Sequence, residues 1–423
     1  MKRLLLLLFM ATGFVSSAQF DTHFHPQSLR LDYVHAGNHS SHHYYFEGFR
    51  IEPHWGGNKN NLIDTLYYGK YFVKVFDKES EALLFSRGFS SLFGEWQTTV
   101  EAKETDRSFY ESVVMPLPKK EAEVVLYCRS KQGHFMEVFR KTYHPNDYFV
   151  TTEMRKPYPV EAIHTGNEDP SKAVDIVILP DGYTKEEMEK FEKDCHRFKE
   201  ALFSFEPYAS CKKAFNIHAI MAPSLESGTD IPADSIYVNT LLGSSFYTFD
   251  SERYNMVMDH YTVRDLAANA PYDQIYILVN TTKYGGGAIY NFYSVSASSH
   301  PASQKVFIHE FGHAFAGLAD EYYDSETSYN DFYTEGIEPW EPNITTLTNF
   351  EKKWKHQVKA GTPIPTPPTK EYLHTVGAFE GAGYVEKGIY RPMQDCMMNT
   401  FKGDLFCPVC VEAIHRVIDF HTK

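Results

Sequence analysis

Along residues 19–155 apolar positions come in short runs rich in β-branched and aromatic side chains. Residues 29–33, 71–76, 123–127 and 135–139 are the clearest, and turn residues such as Gly56, Gly57 and Asn58 or Lys131, Gln132 and Gly133 separate them. Runs of this length and spacing predict an antiparallel β-sandwich domain over 19–155. The polar, proline-containing stretch 156–171 reads as a linker. After it the pattern changes. Residues 173–179 form an apolar run interrupted only by Asp175, as expected of a strand buried on both faces. Pro180 to Tyr183 is a turn, and Thr184 with Glu187 opens a helix in the manner of a capping box. Phe191, Cys195, Phe198, Leu202 and Phe205 then recur at helical spacing. Residues 216–221 and 274–279 are further strand patterns, so 172–423 predicts an α/β domain. Residues 361–369 are proline-rich and read as an ordered surface loop, and no internal repeat is visible. The expected fold class is therefore α+β with two domains.

The chain has 423 residues, with 43 % hydrophobic and 23 % charged positions, which suits a globular protein with a sizeable core. Its net charge of −14 is opposite to that of a protein that tracks phosphates, so nucleic acid is not an expected partner. Lys2 and Arg3, an apolar run over 4–14 and the small residues Ser16, Ser17 and Ala18 read as a signal peptide, 1–18. The protein is thus expected to be exported, to the periplasm, cell surface or exterior. No later segment has an apolar run of membrane-spanning length, so stable membrane insertion is not expected.

Export permits disulfides among Cys128, Cys195, Cys211, Cys396, Cys407 and Cys410, whose pairing the sequence does not choose. Cys407 and Cys410 form a single CxxC. It could be half of a structural metal site with Cys396 or His415, or a set of disulfide partners. The histidines His23, His25, His35, His39, His42 and His43 read as solvated or hydrogen-bonded side chains in a polar stretch.

The segment that carries chemistry is 306–322. His309 and His313 are four residues apart, so on a helix both imidazoles lie on one face and can reach one metal ion. Glu310 stands beside the metal, where a carboxylate can take a proton from water. Phe307, Phe311, Phe315 and Leu318 occupy the opposite face, and Gly317 lets the helix stop and turn back. Asp320 could then bring an oxygen as third ligand, leaving a fourth position open, as a catalytic zinc site requires. A distant glutamate, Glu335 or Glu380, is a further candidate for that ligand. No GxSxG elbow is present.

The run His309-Glu310-Phe311-Gly312-His313 with Gly317 to Tyr322 resembles the M64 family of secreted zinc metallopeptidases, the immunoglobulin-A peptidase family. Asp181 to Thr184, Ser227 to Pro232, Phe379 to Ala382, and Tyr390 to Pro392 with Cys396, Met397 and Met398 are similar to it as well. The resemblance implies a C-terminal metzincin-like zinc peptidase domain behind an N-terminal β-sandwich. Metzincins place a glycine three residues after the second histidine; here Gly317 is four residues on. That leaves the third ligand between Asp320, the first choice, and Glu321. The resemblance further implies a Met-turn at Met397 or Met398, and Tyr390 as an oxyanion helper or late ligand. The expected function is a zinc-dependent endopeptidase with one catalytic Zn²⁺ and Glu310 as general base. Its substrate would be a protein or peptide, a host glycoprotein among the candidates. The rival expectation is a non-catalytic, metal-stabilised module for adhesion or for binding glycans or proteins. Oligomeric state is left open.

Overall fold

The computed structural model describes residues 17–152, 156–323, 332–334, 336–402 and 404–423. The signal-peptide reading of 1–18 falls almost wholly outside the described residues, as does Glu335.

Seven strands build the first third: β1 (Phe24–Gly37), β2 (His42–Glu52), β3 (Tyr71–Asp77), β4 (Leu83–Phe89), β5 (Arg107–Pro118), β6 (Ala122–Arg129) and β7 (Phe135–Tyr143). They form two antiparallel sheets, ordered β2-β1-β5 and β4-β3-β6-β7. Alternate residues of both sheets, including Leu29, Leu31 and Tyr33 from one and Val73, Val75, Val124 and Leu126 from the other, share one apolar core. That is the outcome of the period-two pattern in these runs. His35 is buried here between the rings of Phe93 and Tyr44, with its nitrogens on Glu111 (3.0 Å) and His42 (2.9 Å).

The second layer is a six-stranded mixed sheet. Its strands are β8 (Val160–Thr165), β9 (Val174–Asp181), β10 (Phe215–Ile220), β11 (Gln274–Val279), β12 (Gly286–Ala288) and β13 (Tyr293–Ala297), in the order β12-β13-β11-β9-β10-β8. β13, β11, β9 and β10 are parallel, and the edges β12 and β8 run antiparallel. Every residue of β9 and of β11 is buried, because both faces are covered. Ile176, Ile178, Tyr276 and Leu278 face the helices Met188–Leu202, Ser303–Ala316 and Pro408–Thr422. Val177, Leu179, Ile275 and Ile277 face the opposite layer, which includes helix His260–Ala267.

The helix Met188–Leu202 begins as the sequence predicts. Thr184 and Glu187 complete a capping box over the turn that precedes it. Its Phe191, Phe198 and Leu202 are fully buried, each worth about 1.5–3 kcal/mol relative to exposure.

The stretch expected as a linker, 156–171, is not free chain. It contributes β8, which hydrogen-bonds along β10 and closes that edge of the sheet. The proline and polar content that suggested a linker reflects an edge strand with one exposed side. The first third also shares a core with the six-stranded sheet. Leu92, Phe93, Trp96 and Phe109 lie in the same apolar cluster as Val177 and Leu179. The hairpin β14 (Phe379–Ala382) and β15 (Val385–Arg391) completes the C-terminal part.

A buried ionic cluster fastens β1 to helix His260–Ala267. The Arg30 guanidinium, with no solvent exposure, reaches Asp32 (2.7 Å), Glu52 (3.3 Å) and Asp265 (2.8 Å). Removing the cation deprives the buried Asp32 and Glu52 carboxylates of their guanidinium partner. Arg30→Met is expected to cost about 3–5 kcal/mol, read as a lower denaturant midpoint. An unchanged midpoint would show that the cluster contributes nothing to cohesion.

Candidate metal centre

The helix Ser303–Ala316 presents two chemically opposite faces. Phe307, Phe311 and Phe315 are buried on one side, with Phe311 and Phe315 stacked at 5.1 Å and Phe307 stacked on Tyr276 at 4.0 Å. That aromatic stripe fixes the rotation of the helix, so His309, Glu310 and His313 face an open cleft. The helix ends at Gly317, whose φ of +62° is left-handed and whose N–H closes on the His313 carbonyl. A Cβ at this position would also stand 2.8 Å from the Trp340 ring. The glycine stop thereby reverses the chain and returns Asp320 to the histidines.

The imidazole Nε2 atoms of His309 and His313 are 3.1 Å apart. Asp320 Oδ1 lies 3.0 Å from the first and 3.3 Å from the second. The opposite ring nitrogens are occupied: His309 Nδ1 donates to the Met397 carbonyl (2.9 Å) and His313 Nδ1 to the Leu318 carbonyl (2.6 Å). With Nδ1 protonated, each neutral ring turns a bare Nε2 lone pair inward. Asp320 Oδ1 is buried and has no hydrogen-bond donor, so three acceptors converge on one point. The donor set of two nitrogens and one carboxylate oxygen fits a zinc ion.

Asp320 is itself well held. Its Oδ2 accepts from the Tyr384 hydroxyl, and its carbonyl accepts from Gly383 N–H at 3.0 Å. Asn343 clamps the preceding residue by two hydrogen bonds to the Ala319 backbone. Without a metal a proton takes its place. Burial would lower the pKa of His313, but the Asp320 and Glu310 carboxylates override it and raise it to about 9. Burial works to raise Asp320, yet the His313 and His309 rings hold it well below the usual carboxylate range. Glu310, beside the pair, is pushed upward by burial.

Met397 and Met398 lie buried beneath the helix. Met397 supplies the carbonyl that orients His309, and Met398 Sδ would stand 2.9 Å from a Cβ at Gly312. Gly312 is therefore the residue that lets helix and sulfur approach.

The structure does not bring Tyr390 to the cleft. Its hydroxyl donates to Glu380 Oε1 (3.4 Å) within the β14–β15 hairpin. Tyr384, which the sequence pattern does not single out, lines the cleft instead, from the turn between the two strands. Glu380 is an exposed partner of the same hairpin, its Oε1 also accepting from Gly388 N–H. Glu321 turns away from the histidines toward Cys410 and Asn343. Arg253 is likewise not marked by the sequence, and Tyr322 falls in the quoted motif without a role assigned to it. Both line the cleft, with the Arg253 guanidinium 3.5 Å from the Tyr322 hydroxyl. Residues so far apart in the chain leave no spacing signal. The cleft encloses about 1200 Å³, and the first third supplies part of its wall through Lys70, Glu95 and Arg129.

A family model described as IgA Peptidase M64 matches residues 161–375 and 368–418, and one described as Peptidase M64 N-terminus matches 19–140. The chain belongs to this peptidase family. No curated protein matches it.

Two outcomes are expected. Tyr384→Phe, which strips the donor from Asp320 Oδ2, should weaken metal affinity about 10- to 100-fold in chelator competition, with the apo fold retained. A metal held by these residues would have to displace the proton on His313, so its affinity should rise with pH up to about 9. Calorimetry in buffers of different ionisation heat should show proton release; affinity that is flat across that range would contradict the proton–metal exchange.

Proposed function

We propose that this M64 peptidase is a zinc-dependent endopeptidase, with His309, His313 and Asp320 as metal ligands and Glu310 as general base. The observation that carries the reading is the convergence of His309 Nε2, His313 Nε2 and Asp320 Oδ1 in an open cleft next to Glu310. Zinc held there supplies Lewis acidity, acidifying water and polarising a carbonyl oxygen. The backbone carbonyls of Met397 and Leu318 keep both rings in the tautomer that accepts the ion. Glu310 takes a proton from the attacking water and returns it to the nitrogen of the departing amine. Its upward-shifted pKa brings it nearer the value at which a carboxylate can both accept and release that proton. Met398 serves as an apolar floor under the helix, not as a ligand.

The same reading takes 19–155 as a β-sandwich and 172–423 as a metzincin-like catalytic domain. It makes the protein exported through 1–18, and a host glycoprotein the first substrate to try. No helix of the described residues is long and apolar enough to cross a membrane.

Glu310→Gln should keep its zinc while hydrolysis of a peptide library falls by at least about 10²- to 10⁴-fold. His309→Ala should lose both metal and hydrolysis. Glu310→Gln turning over at the parent rate would remove the assigned base.

A further inference from the structure

Directly behind the histidine centre lies a second constellation that the peptidase reading does not use. Cys396, Cys407, Cys410 and Glu321 are all buried, and one ligand atom from each falls within 4.8 Å of the others. Cys396 Sγ and Cys410 Sγ are 3.7 Å apart, and Cys410 Sγ is 3.2 Å from Glu321 Oε1. Sulfurs about 2.3 Å from one tetrahedral zinc stand about 3.8 Å from each other, whereas a disulfide brings them to about 2.05 Å.

The chemistry of the surroundings agrees. A disulfide pairs two thiols, so one of the three would be left over beside a buried carboxylate. Glu321 Oε1 accepts from Asn343 Nδ2 at 3.0 Å, but its Oε2 is buried without a partner. A desolvated carboxylate in that state is stabilised by a proton or by a cation, and a bound cation would also satisfy the neighbouring sulfurs. Cys407 precedes the helix Pro408–Thr422 and Cys410 lies in its first turn, where free backbone N–H groups favour thiolates. The Cys407 N–H donates to Cys396 Sγ at 3.3 Å.

We propose that Cys396, Cys407, Cys410 and Glu321 form a closed four-ligand zinc site with a structural role. Its ligands are chain neighbours of the first centre. Glu321 follows Asp320, Cys396 precedes Met397, and the Glu321 N–H donates to the Met398 carbonyl at 2.7 Å. An ion bound here ties the loop carrying Asp320 to the segment that orients His309, and both to the C-terminal helix. His415, the other partner weighed for the CxxC, instead faces Cys211 at 3.8 Å.

The test uses the full chain and does not depend on hydrolysis. In the double variant His309→Ala with His313→Ala, all three thiols remain. After dialysis, elemental analysis should find one zinc per chain, and X-ray absorption should show sulfur at about 2.3 Å. Parent protein should hold two zinc ions, and Cys410→Ser should lose the sulfur-bound one. If Cys410→Ser fails to fold, the histidine variant alone decides. Absence of sulfur-bound zinc in that variant, or alkylation mapping that finds a disulfide within the trio, overturns the proposal. Parent protein with only sulfur-bound zinc would instead overturn the catalytic centre and leave this site standing.

Discussion

Three lone-pair donors held face to face in a buried place cannot be at rest by themselves. His309 Nε2, His313 Nε2 and Asp320 Oδ1 stand 3.0–3.3 Å apart, and the carbonyls of Met397 and Leu318 keep the ring protons on the far side. Each contact is unfavourable unless a cation or a proton sits between the partners. The rest of the C-terminal architecture holds that arrangement against its own repulsion. The aromatic stripe locks the helix in rotation, Gly317 reverses the chain, and Asn343 and Tyr384 pin the loop that returns.

What makes the scaffold rigid enough is the doubly covered sheet. β9 and β11 are buried along their whole length, and the helix with the histidines packs on β13 and β12 at the sheet's edge. A helix placed over an edge can bury one face and leave the other open to a cleft. The same cannot be done over the centre of the sheet, where both neighbours would close the opening.

Parts of this were legible in the chain and parts were not. The helix, its stop and its two histidines are local facts, written within a dozen residues, and period and spacing suffice to read them. Asp320 was legible because Gly317 dictates a reversal close by. Tyr384, Arg253 and Asn343 reach the site from other elements, and no local pattern announces a contact made through the fold. Tyr390 shows the converse. Two tyrosines occupy one hairpin, Tyr390 in a strand opposite Glu380 and Tyr384 in the turn with a left-handed backbone, and composition does not tell which of them reaches the cleft. The composition of 156–171 likewise did not announce β8, since an edge strand and an exposed connection have similar composition.

The first third bears on chemistry through shape. A metal and a carboxylate treat one peptide bond much like another, so discrimination on the proposed reading must come from the walls of the cleft. Lys70, Glu95, Gln97 and Arg129 belong to that wall, and Glu95 accepts a hydrogen bond from Tyr254, next to Arg253. The wall cannot swing clear without exposing Leu92 and Phe93, at about 1.5–3 kcal/mol each, and breaking the Arg30 cluster. On the proposed reading, the part of the cleft wall that the first third supplies is therefore positioned by the shared core.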